Sequence, residues 1–111
     1  VDCDECSSKP EYFELKILFN TNYKHPYVIF YLYQGNIEDC NLIYNDTTNL
    51  RNYSIYVKRS KKYSIKAIYL GEENDTIIVI NGTKLKLRDY SDYCENEECW
   101  VVENNIINAT F

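Results

Sequence analysis

The sequence YFELKILF, residues 12–19, alternates between apolar and polar side chains, and the same alternation recurs in most of the chain. Successive side chains of a β-strand point to opposite faces of a sheet, so this period of two predicts a strand with one buried face. Glu14 and Lys16 are then directed to water. The predicted buried face carries the apolar side chains Phe13, Leu15, Ile17 and Phe19.

The segment YVIFYLY, residues 27–33, is apolar or aromatic at every position. A strand that is apolar on both faces suits the middle of a sheet, and Val28, Phe30 and Leu32 are predicted to face the core. The polar stretch 34–52 that follows is too long for a tight turn. We therefore expect irregular structure or a short edge strand there.

Two later strands are predicted to form a hairpin, YSIYVK at residues 53–58 and KYSIKAIYL at residues 62–70. The inward side of the second strand is predicted to carry Tyr63, Ile65, Ala67 and Tyr69. The connection holds the basic run Lys58, Arg59, Lys61 and Lys62. We interpret this run as a solvated hairpin tip, because neither a glycine-rich loop nor a helix start accompanies it to make a phosphate site.

Two dipeptides that contain asparagine predict further turns. Asn81-Gly82, within TIIVINGTKLKL, supplies the two positive-φ residues that a type I′ turn requires between strands. The segment CWVVENNIINATF is predicted to fold back as a last hairpin around Asn104-Asn105.

Helical periodicity is absent from the sequence, since apolar residues nowhere recur at i, i+3, i+4 and i+7 between an N-cap and a glycine. A chain of 111 residues is long enough for one core. With about seven or eight strands, the predicted fold is all-β, a single two-sheet antiparallel sandwich, and a closed barrel is the alternative. Residues 1–9 are assigned to an N-terminal cysteine-containing tether and residues 10–111 to the sandwich domain.

The charge and the side-chain inventory exclude several classes of function. A formal net charge of −5 disfavours nucleic acid or an anionic membrane surface as a partner, because both need a positive stripe. No stretch approaches the roughly 20 apolar residues that span a bilayer. His25, the single histidine, lies beside Pro26 and is expected at the surface rather than as a catalytic base. No nucleophile motif is present, so neither an enzyme activity nor a cofactor is predicted.

Five cysteines in so short a chain favour an oxidising compartment, and the odd count leaves one thiol unpaired. Disulfides are the favoured interpretation of Cys3, Cys6, Cys94 and Cys99. A bridge within the second pair closes a small loop, whereas bridges between the two pairs stabilise more, and the sequence does not choose between them. Cys40, alone in the long connection, is the candidate for the odd thiol.

The same four cysteines allow a zinc site as an alternative. The spacings Cys3-x2-Cys6 and Cys94-x4-Cys99 are close to those of structural zinc sites, and the two pairs would meet if the first strand lay beside the last. The acidic neighbours and the lack of a histidine ligand weigh against it. Redox catalysis is disfavoured, because the acids around the first pair oppose thiolate formation and no helix follows.

Tyrosines supply the candidate binding face. Tyr27, Tyr31 and Tyr33 share the side of their strand opposite the core, and Tyr56 is expected to point outward on a later strand. An aromatic patch of this kind suits a protein or a sugar partner. The competing interpretation, which we favour from the sequence, is that these rings cover neighbouring strands with only their hydroxyls in water.

Five asparagines each begin an N-x-S/T triplet: Asn45, Asn52, Asn74, Asn81 and Asn108. In a secreted eukaryotic protein these triplets indicate a heavily glycosylated surface, whereas in an asparagine-rich bacterial chain they carry no meaning. Asn81 is explained better by its predicted turn.

Three segments carry a resemblance to a known group of proteins: NYSIYVKRSKKYSIKAIY (52–69), TIIVINGTKLKL (76–87) and SDYCENEECWVVENN (91–105). They resemble small lipoproteins of unknown function from Bacteroidetes-type gut bacteria. Members of that group pair an N-terminal C-x-x-C near the lipidated cysteine with a later cysteine pair that ends in C-W. The strand pattern Y-S-I-x-A-x-Y is similar to carboxypeptidase-regulatory and prealbumin-like, Ig-like sandwiches.

The resemblance implies export, tethering at the cell envelope or outer-membrane surface through a lipid on an upstream cysteine, and no known activity. The start VDCDEC is interpreted as a mature or trimmed end. The expected function is an exported, envelope-tethered β-sandwich that binds an unknown protein or glycan at the cell surface or takes part in a surface assembly, with no nucleic acid and with membrane contact only through the lipid. The alternatives are a zinc-stabilised interaction module built on Cys3, Cys6, Cys94 and Cys99, and a secreted eukaryotic glycoprotein ectodomain.

Overall fold

The computed structural model describes residues 9–90 and 99–111, and these residues form nine β-strands and no α-helix. The strands are β1 (Tyr12–Leu18), β2 (Tyr27–Gln34), β3 (Leu42–Thr48), β4 (Asn52–Lys58), β5 (Lys62–Leu70), β6 (Thr76–Lys84), β7 (Lys86–Asp89), β8 (Trp100–Glu103) and β9 (Ile106–Asn108). Two short 3-10 helices, Ile37–Asp39 and Glu72–Asn74, lie in the connections. The assigned tether lies outside the described range except for Lys9.

The strands form two larger sheets that pack face to face and one small sheet beside them. The three-stranded sheet has the order β4-β1-β9, the four-stranded sheet the order β3-β2-β5-β6, and β7 pairs with β8. The pairings are antiparallel except that of β1 with β9, which is parallel. The all-β sandwich prediction is confirmed, with nine strands in the described part where about seven or eight were expected.

One core lies between the two larger sheets, and period-two alternation predicted most of it. Eleven predicted side chains are at most 6% exposed: Phe13, Leu15, Ile17, Phe19, Val28, Phe30, Leu32, Tyr63, Ile65, Ala67 and Tyr69. Ile107 of β9 and Ala109 after it are fully buried and complete the core on the side of the three-stranded sheet. The central position of β2, between β3 and β5, is also confirmed.

The basic run is not a hairpin tip. β4 pairs with β1, where Val57 lies opposite Phe13, whereas β5 pairs with β2, where Ala67 lies opposite Phe30. Residues 59–61 therefore carry the chain from one sheet to the other. The predicted hairpin is wrong because alternation fixes which face of a strand is buried but not which strand lies beside it. Here the two apolar rows face each other across the core.

Asn81-Gly82 is not a turn. β6 runs without interruption through both residues, and Gly82 lies opposite Ser64 of β5. Neither residue has the positive φ that a type I′ turn needs. Pairing with the nine-residue β5 holds this dipeptide extended, since a turn here would leave the first residues of β5 without a partner on that side. Gly82 serves another purpose, because a Cβ there would lie 2.8 Å from the Tyr63 carbonyl oxygen.

Asn104-Asn105 does not close a hairpin either. β8 pairs with β7 and β9 with β1, so this dipeptide moves the chain between sheets. A type I′ turn requires a positive φ at both central residues. Asn104 has a positive φ of 60°, but Asn105 does not. The Asn105 carbonyl accepts a hydrogen bond from the Lys16 backbone N–H at 2.9 Å, and its side-chain amide donates to the Glu14 carbonyl at 2.9 Å. These contacts bind the segment to β1.

The stretch 34–52 contains the expected edge strand. β3 lies at the edge of the four-stranded sheet, and its seven residues make it longer than predicted. Irregular structure precedes it, including a 3-10 helix that ends at Cys40 with a left-handed φ of 56°. Tyr44 and Thr48 face the core from β3, and most of the remaining strand is exposed.

Candidate functional site

The outward-facing side of the four-stranded sheet, which we call the apolar face, is built from three adjacent strands. Its rows follow from the register: Tyr27 opposite Leu70, Ile29 opposite Ile68, and Tyr31 opposite Lys66 across β2 and β5. The rows continue onto β6, where Ile78 lies opposite Ile68 and Ile80 opposite Lys66. Side chains at these positions point away from the core, because their strand neighbours on both sides point into it.

The apolar face is accessible at its β6 side and at one end. Ile80 is 63% exposed, Ile78 56% and Tyr27 51%, while Ile29, Tyr31 and Ile68 are half-buried between them. An edge strand that borders water normally carries polar or charged outward residues, which discourage association. Contiguous apolar exposure on a sheet commonly marks an interaction site. The rows of the apolar face therefore expose apolar side chains on three adjacent strands.

The charged side chains in the rows of the apolar face are lysines, and the acid Glu38 lies at its rim near Lys62. Lys66 is half-buried in the middle row, between Tyr31 and Ile80. Lys62 and Lys84 lie opposite each other at one end of the sheet. The Lys62 ammonium donates a hydrogen bond to the Asn36 side-chain oxygen at 2.5 Å, which fixes its position at the rim. The apolar face therefore combines apolar side chains with a lysine in its middle row.

The structure brings three of the four predicted tyrosines together and separates the fourth. Tyr27, Tyr31 and Tyr33 lie on the apolar face. Tyr56, 73% exposed, lies opposite Glu14 on the outward side of the three-stranded sheet. The sandwich lies between these two surfaces, so Tyr56 does not belong to the apolar face.

Sequence reasoning missed the aliphatic half of this face. Ile78 and Ile80 belong to the run TIIVI, which is apolar at consecutive positions and so carries apolar side chains on both sides of its strand. Such a run normally indicates a central strand. β6 is nevertheless the last strand of its sheet among the described residues. The apolar run is visible in the sequence, but only the position of β6 beside β5 shows that Ile78 and Ile80 belong to the apolar face.

The inward tyrosines have a structural role. The Tyr69 hydroxyl donates to the Ala109 carbonyl at 2.6 Å and accepts from the Asn20 backbone N–H at 3.2 Å. The Tyr53 hydroxyl donates to the Asp46 carboxylate at 2.7 Å. Burial, followed by hydrogen bonds to Tyr44 and Asp46, raises the pKa of Tyr53 above its usual range, and burial also raises the pKa of Tyr69. These hydroxyls remain neutral donors that link the strands.

His25 does not lie at the surface, so that expectation is wrong. It is 6% exposed, and its Nε2 lies 3.0 Å from a carboxylate oxygen of Asp75. Its ring packs edge-on against the Phe111 ring, with 5.5 Å between the two ring centres. The Asn22 side-chain oxygen accepts the His25 backbone N–H at 2.9 Å, which turns the loop and folds the ring inward. The contacts hold the loop of His25 against Phe111.

Of the predicted cysteine sites, Cys3, Cys6 and Cys94 lie outside the described residues. Cys99 is fully buried, and its carbonyl accepts the Tyr90 backbone N–H at 2.7 Å. Cys40 is free and exposed, as predicted for the odd thiol. Within residues 9–90 and 99–111, no group of three or more His, Cys, Asp or Glu side chains is placed to bind a metal ion.

β1 pairs with β9, so the first described strand lies beside the last described one. The Lys9 ammonium also lies 5.1 Å from the centre of the Trp100 ring, a distance at which a cation is attracted to an indole face. Lys9 is three residues after Cys6, and Trp100 directly follows Cys99. The described ends of the two cysteine-containing segments therefore meet.

Among the asparagines of the N-x-S/T triplets, Asn45, Asn52, Asn81 and Asn108 are exposed, and the side chain of Asn74 lies outside the description. The Asn81 side-chain amide donates to the Asn108 carbonyl at 2.8 Å, so it joins β6 to β9 rather than shaping a turn. The Asn108 side-chain oxygen accepts from the Thr110 hydroxyl at 2.5 Å.

Comparison with protein-family models, with curated proteins and with solved structures gave no match. In the described residues, no helix has the length and apolar character required to span a membrane.

Proposed function

We propose that this chain is a non-catalytic binding module that recognises a protein partner through the apolar face of its four-stranded sheet. The observation that carries the proposal is the exposure of Tyr27, Ile78 and Ile80 on one continuous sheet surface. A soluble monomer gains nothing by leaving such a surface in water, whereas covering it in a complex removes apolar area from water.

A protein partner is favoured over a glycan by what surrounds the tyrosines. Sugar sites combine an aromatic platform with polar groups that satisfy the sugar hydroxyls, since a buried hydroxyl without a hydrogen bond is costly. Here the row between Tyr27 and Tyr31 holds Ile29, Ile68 and Ile78 across β2, β5 and β6, and the polar neighbours of Tyr31 are Asn45 and Lys66. Aliphatic neighbours satisfy no hydroxyl, but they fit an apolar protein surface.

A different protein is favoured over a second copy of this chain by the position of Lys66. Symmetric dimers use the same patch on both copies, around a two-fold axis. An axis through the middle of the apolar face would bring the lysines of two copies together in a low-dielectric interface, where like charges are costly. We therefore propose a partner surface that is apolar and presents a carboxylate to Lys66.

The test uses a displayed library of random peptides selected on the immobilised wild-type protein, with selected peptides then measured by calorimetry. Selected sequences should combine apolar residues with Asp or Glu. Ile80→Asp should weaken binding by about thirtyfold, as for a central contact residue, and Lys66→Gln by roughly two- to fivefold. Tyr56→Ser, on the opposite side of the sandwich, is the matched control and should leave affinity unchanged.

Circular dichroism of each variant checks that it remains folded. Equal binding of the peptides by wild type and Ile80→Asp contradicts the proposal. A glycan array supplies the competing outcome: saturable binding of a glycan that Tyr31→Ala abolishes would replace the protein partner with a sugar.

The cellular setting of the module is part of the proposal. We infer that the chain is exported and held at the cell envelope, because its cysteine count suits an oxidising compartment and its segments resemble those of envelope lipoproteins. We also propose that Cys3, Cys6, Cys94 and Cys99 form disulfides. The contact between Lys9 and Trp100 favours bridges between the two pairs.

The zinc-stabilised module is supported by the same contact, since it too needs the two pairs to meet. Elemental analysis together with alkylation of the purified protein separates the two proposals. Stoichiometric zinc with reactive thiols supports the metal site, and protected thiols without metal support the disulfides.

A further inference from the structure

A second candidate site lies at the end of the sandwich where the small sheet departs from it. A cavity of about 310 Å³ opens there, which is at the lower end of the roughly 300–1,000 Å³ range of small-molecule sites. Its apolar walls come from β1, the segment that enters β7, β7 itself and β8, through Phe13, Leu85, Leu87 and Val102. This cavity does not belong to the apolar face, whose rows lie on β2, β5 and β6.

Three cations border this cavity: Lys9, Arg59 and Lys61. In a chain with a formal net charge of −5, this is a local concentration of positive charge. Within residues 9–90 and 99–111, no carboxylate lies within ion-pair distance of any of the three. The ion pairs of the described chain lie elsewhere, at Lys16, His25 and Arg88. Among the described residues, the three cations therefore have no carboxylate counter-ion.

Backbone hydrogen bonds fix the walls of this cavity. The Arg59 backbone N–H donates to the Glu11 carbonyl at 2.7 Å, and its guanidinium donates to the Pro10 carbonyl at 3.2 Å. The Leu85 backbone N–H donates to the Lys61 carbonyl at 3.0 Å. The crossover between the sheets is therefore held to β1 on one side and to the entry of β7 on the other. A preformed site avoids the cost of ordering its loops when a ligand binds.

The geometry points to an amphipathic carboxylate as the ligand, with an alkyl tail against Phe13, Leu85, Leu87 and Val102 and its anionic group among Lys9, Arg59 and Lys61. A fully hydrated anion such as phosphate gains nothing from the apolar walls, and a neutral hydrocarbon supplies no counter-ion to the cations. A medium-chain fatty carboxylate satisfies both parts.

The test is calorimetric titration of the folded 111-residue chain with hexanoate, octanoate and decanoate. Affinity should rise with chain length by about three- to fourfold per buried methylene until the cavity is filled. Two further probes test the apolar walls and the cations separately. Decanol carries the alkyl tail without the charge, and acetate carries the charge without the tail. Both should bind more weakly than decanoate.

Variants locate the binding. Lys61→Gln and Arg59→Gln should each weaken decanoate binding by roughly two- to fivefold, as expected for exposed ion pairs, and Leu87→Asp should weaken it further by placing a carboxylate in the apolar wall. Lys16→Gln is the matched control, because it removes one positive charge from the outward side of the three-stranded sheet. Should Arg59→Gln fail to fold, Lys61→Gln still tests the site.

Two results overturn the inference: decanoate that shows no saturable binding, or decanoate that binds wild type, Lys61→Gln and Leu87→Asp equally well. Ile80→Asp should leave decanoate affinity unchanged, so this site and the proposed protein-binding face succeed or fail independently.

Discussion

The two outward surfaces of the sandwich differ, although the inward surfaces of the same sheets share one core. On the three-stranded sheet, Glu14 and Lys16 form an ion pair at 3.6 Å, and the row of Lys16 holds Ser54 on one side and the exposed Ile106 on the other. On the four-stranded sheet, the corresponding middle rows are Ile29 with Ile68 and Ile78, and Tyr31 with Lys66 and Ile80. The first surface mixes charged and apolar side chains, whereas the second carries Ile29, Ile68, Ile78 and Ile80 in two adjacent rows.

The difference shows why burial alone does not locate function in this molecule. Both inner surfaces are apolar because the burial of apolar side chains drives folding. Their apolar character therefore does not indicate a function. An outer surface is under no such requirement, so the apolar rows on the four-stranded sheet call for another explanation.

The largest expected effect tests whether the inner surfaces form one core. Leu15→Ala on β1 and Ile65→Ala on β5 remove fully buried side chains, one from each sheet, and each should lower the free energy of unfolding by about 2–5 kcal/mol. Urea unfolding followed by circular dichroism provides the measurement. A single cooperative transition is expected for both variants. Two separate transitions, or a loss confined to one variant, would mean that the sheets do not share a core.

A smaller effect is expected at the hydroxyl that links the sheets. Tyr69→Phe leaves the Ala109 carbonyl and the Asn20 backbone N–H without their partner and should cost about 1–3 kcal/mol of unfolding free energy. Tyr56→Phe, at a ring that is 73% exposed, is the matched control and should change stability little. If both variants lost the same unfolding free energy, the inner tyrosine hydroxyl would not stabilise the fold more than the outer one.

The smallest expected effect concerns the outer surfaces themselves. Ile80→Thr on the apolar face and Tyr56→Thr on the opposite one should each change the free energy of unfolding by less than about 0.5 kcal/mol, because both side chains are mostly exposed and threonine suits a strand. The midpoints of urea unfolding test this, provided that the dependence of the unfolding free energy on urea concentration is the same for each variant. A cost above about 1 kcal/mol for Ile80→Thr would show that Ile80 stabilises the isolated chain and is not reserved for a partner.

The sequence predicted the inner surfaces well and the candidate site in part. Alternation identified the buried rows of β1, β2 and β5, and it placed Tyr27, Tyr31 and Tyr33 on the outer side of β2. It did not assign Ile78 and Ile80 to the same surface, because that assignment depends on the register between β5 and β6. The cavity beside Arg59 was missed for a similar reason: the basic run was expected between paired strands, and it lies between sheets.

What the amino-acid order determined by itself is which side of each strand faces the core, since side chains alternate with a period of two regardless of the neighbouring strand. Only the tertiary structure decided which strands pair. Pairing depends on long-range contacts, and here these kept Asn81-Gly82 extended beside β5, bound Asn105 to β1, and sent β4 and β5 to different sheets. Local turn preferences are worth little beside a ladder of backbone hydrogen bonds and a buried apolar row, and for that reason the turns were predicted less reliably than the core.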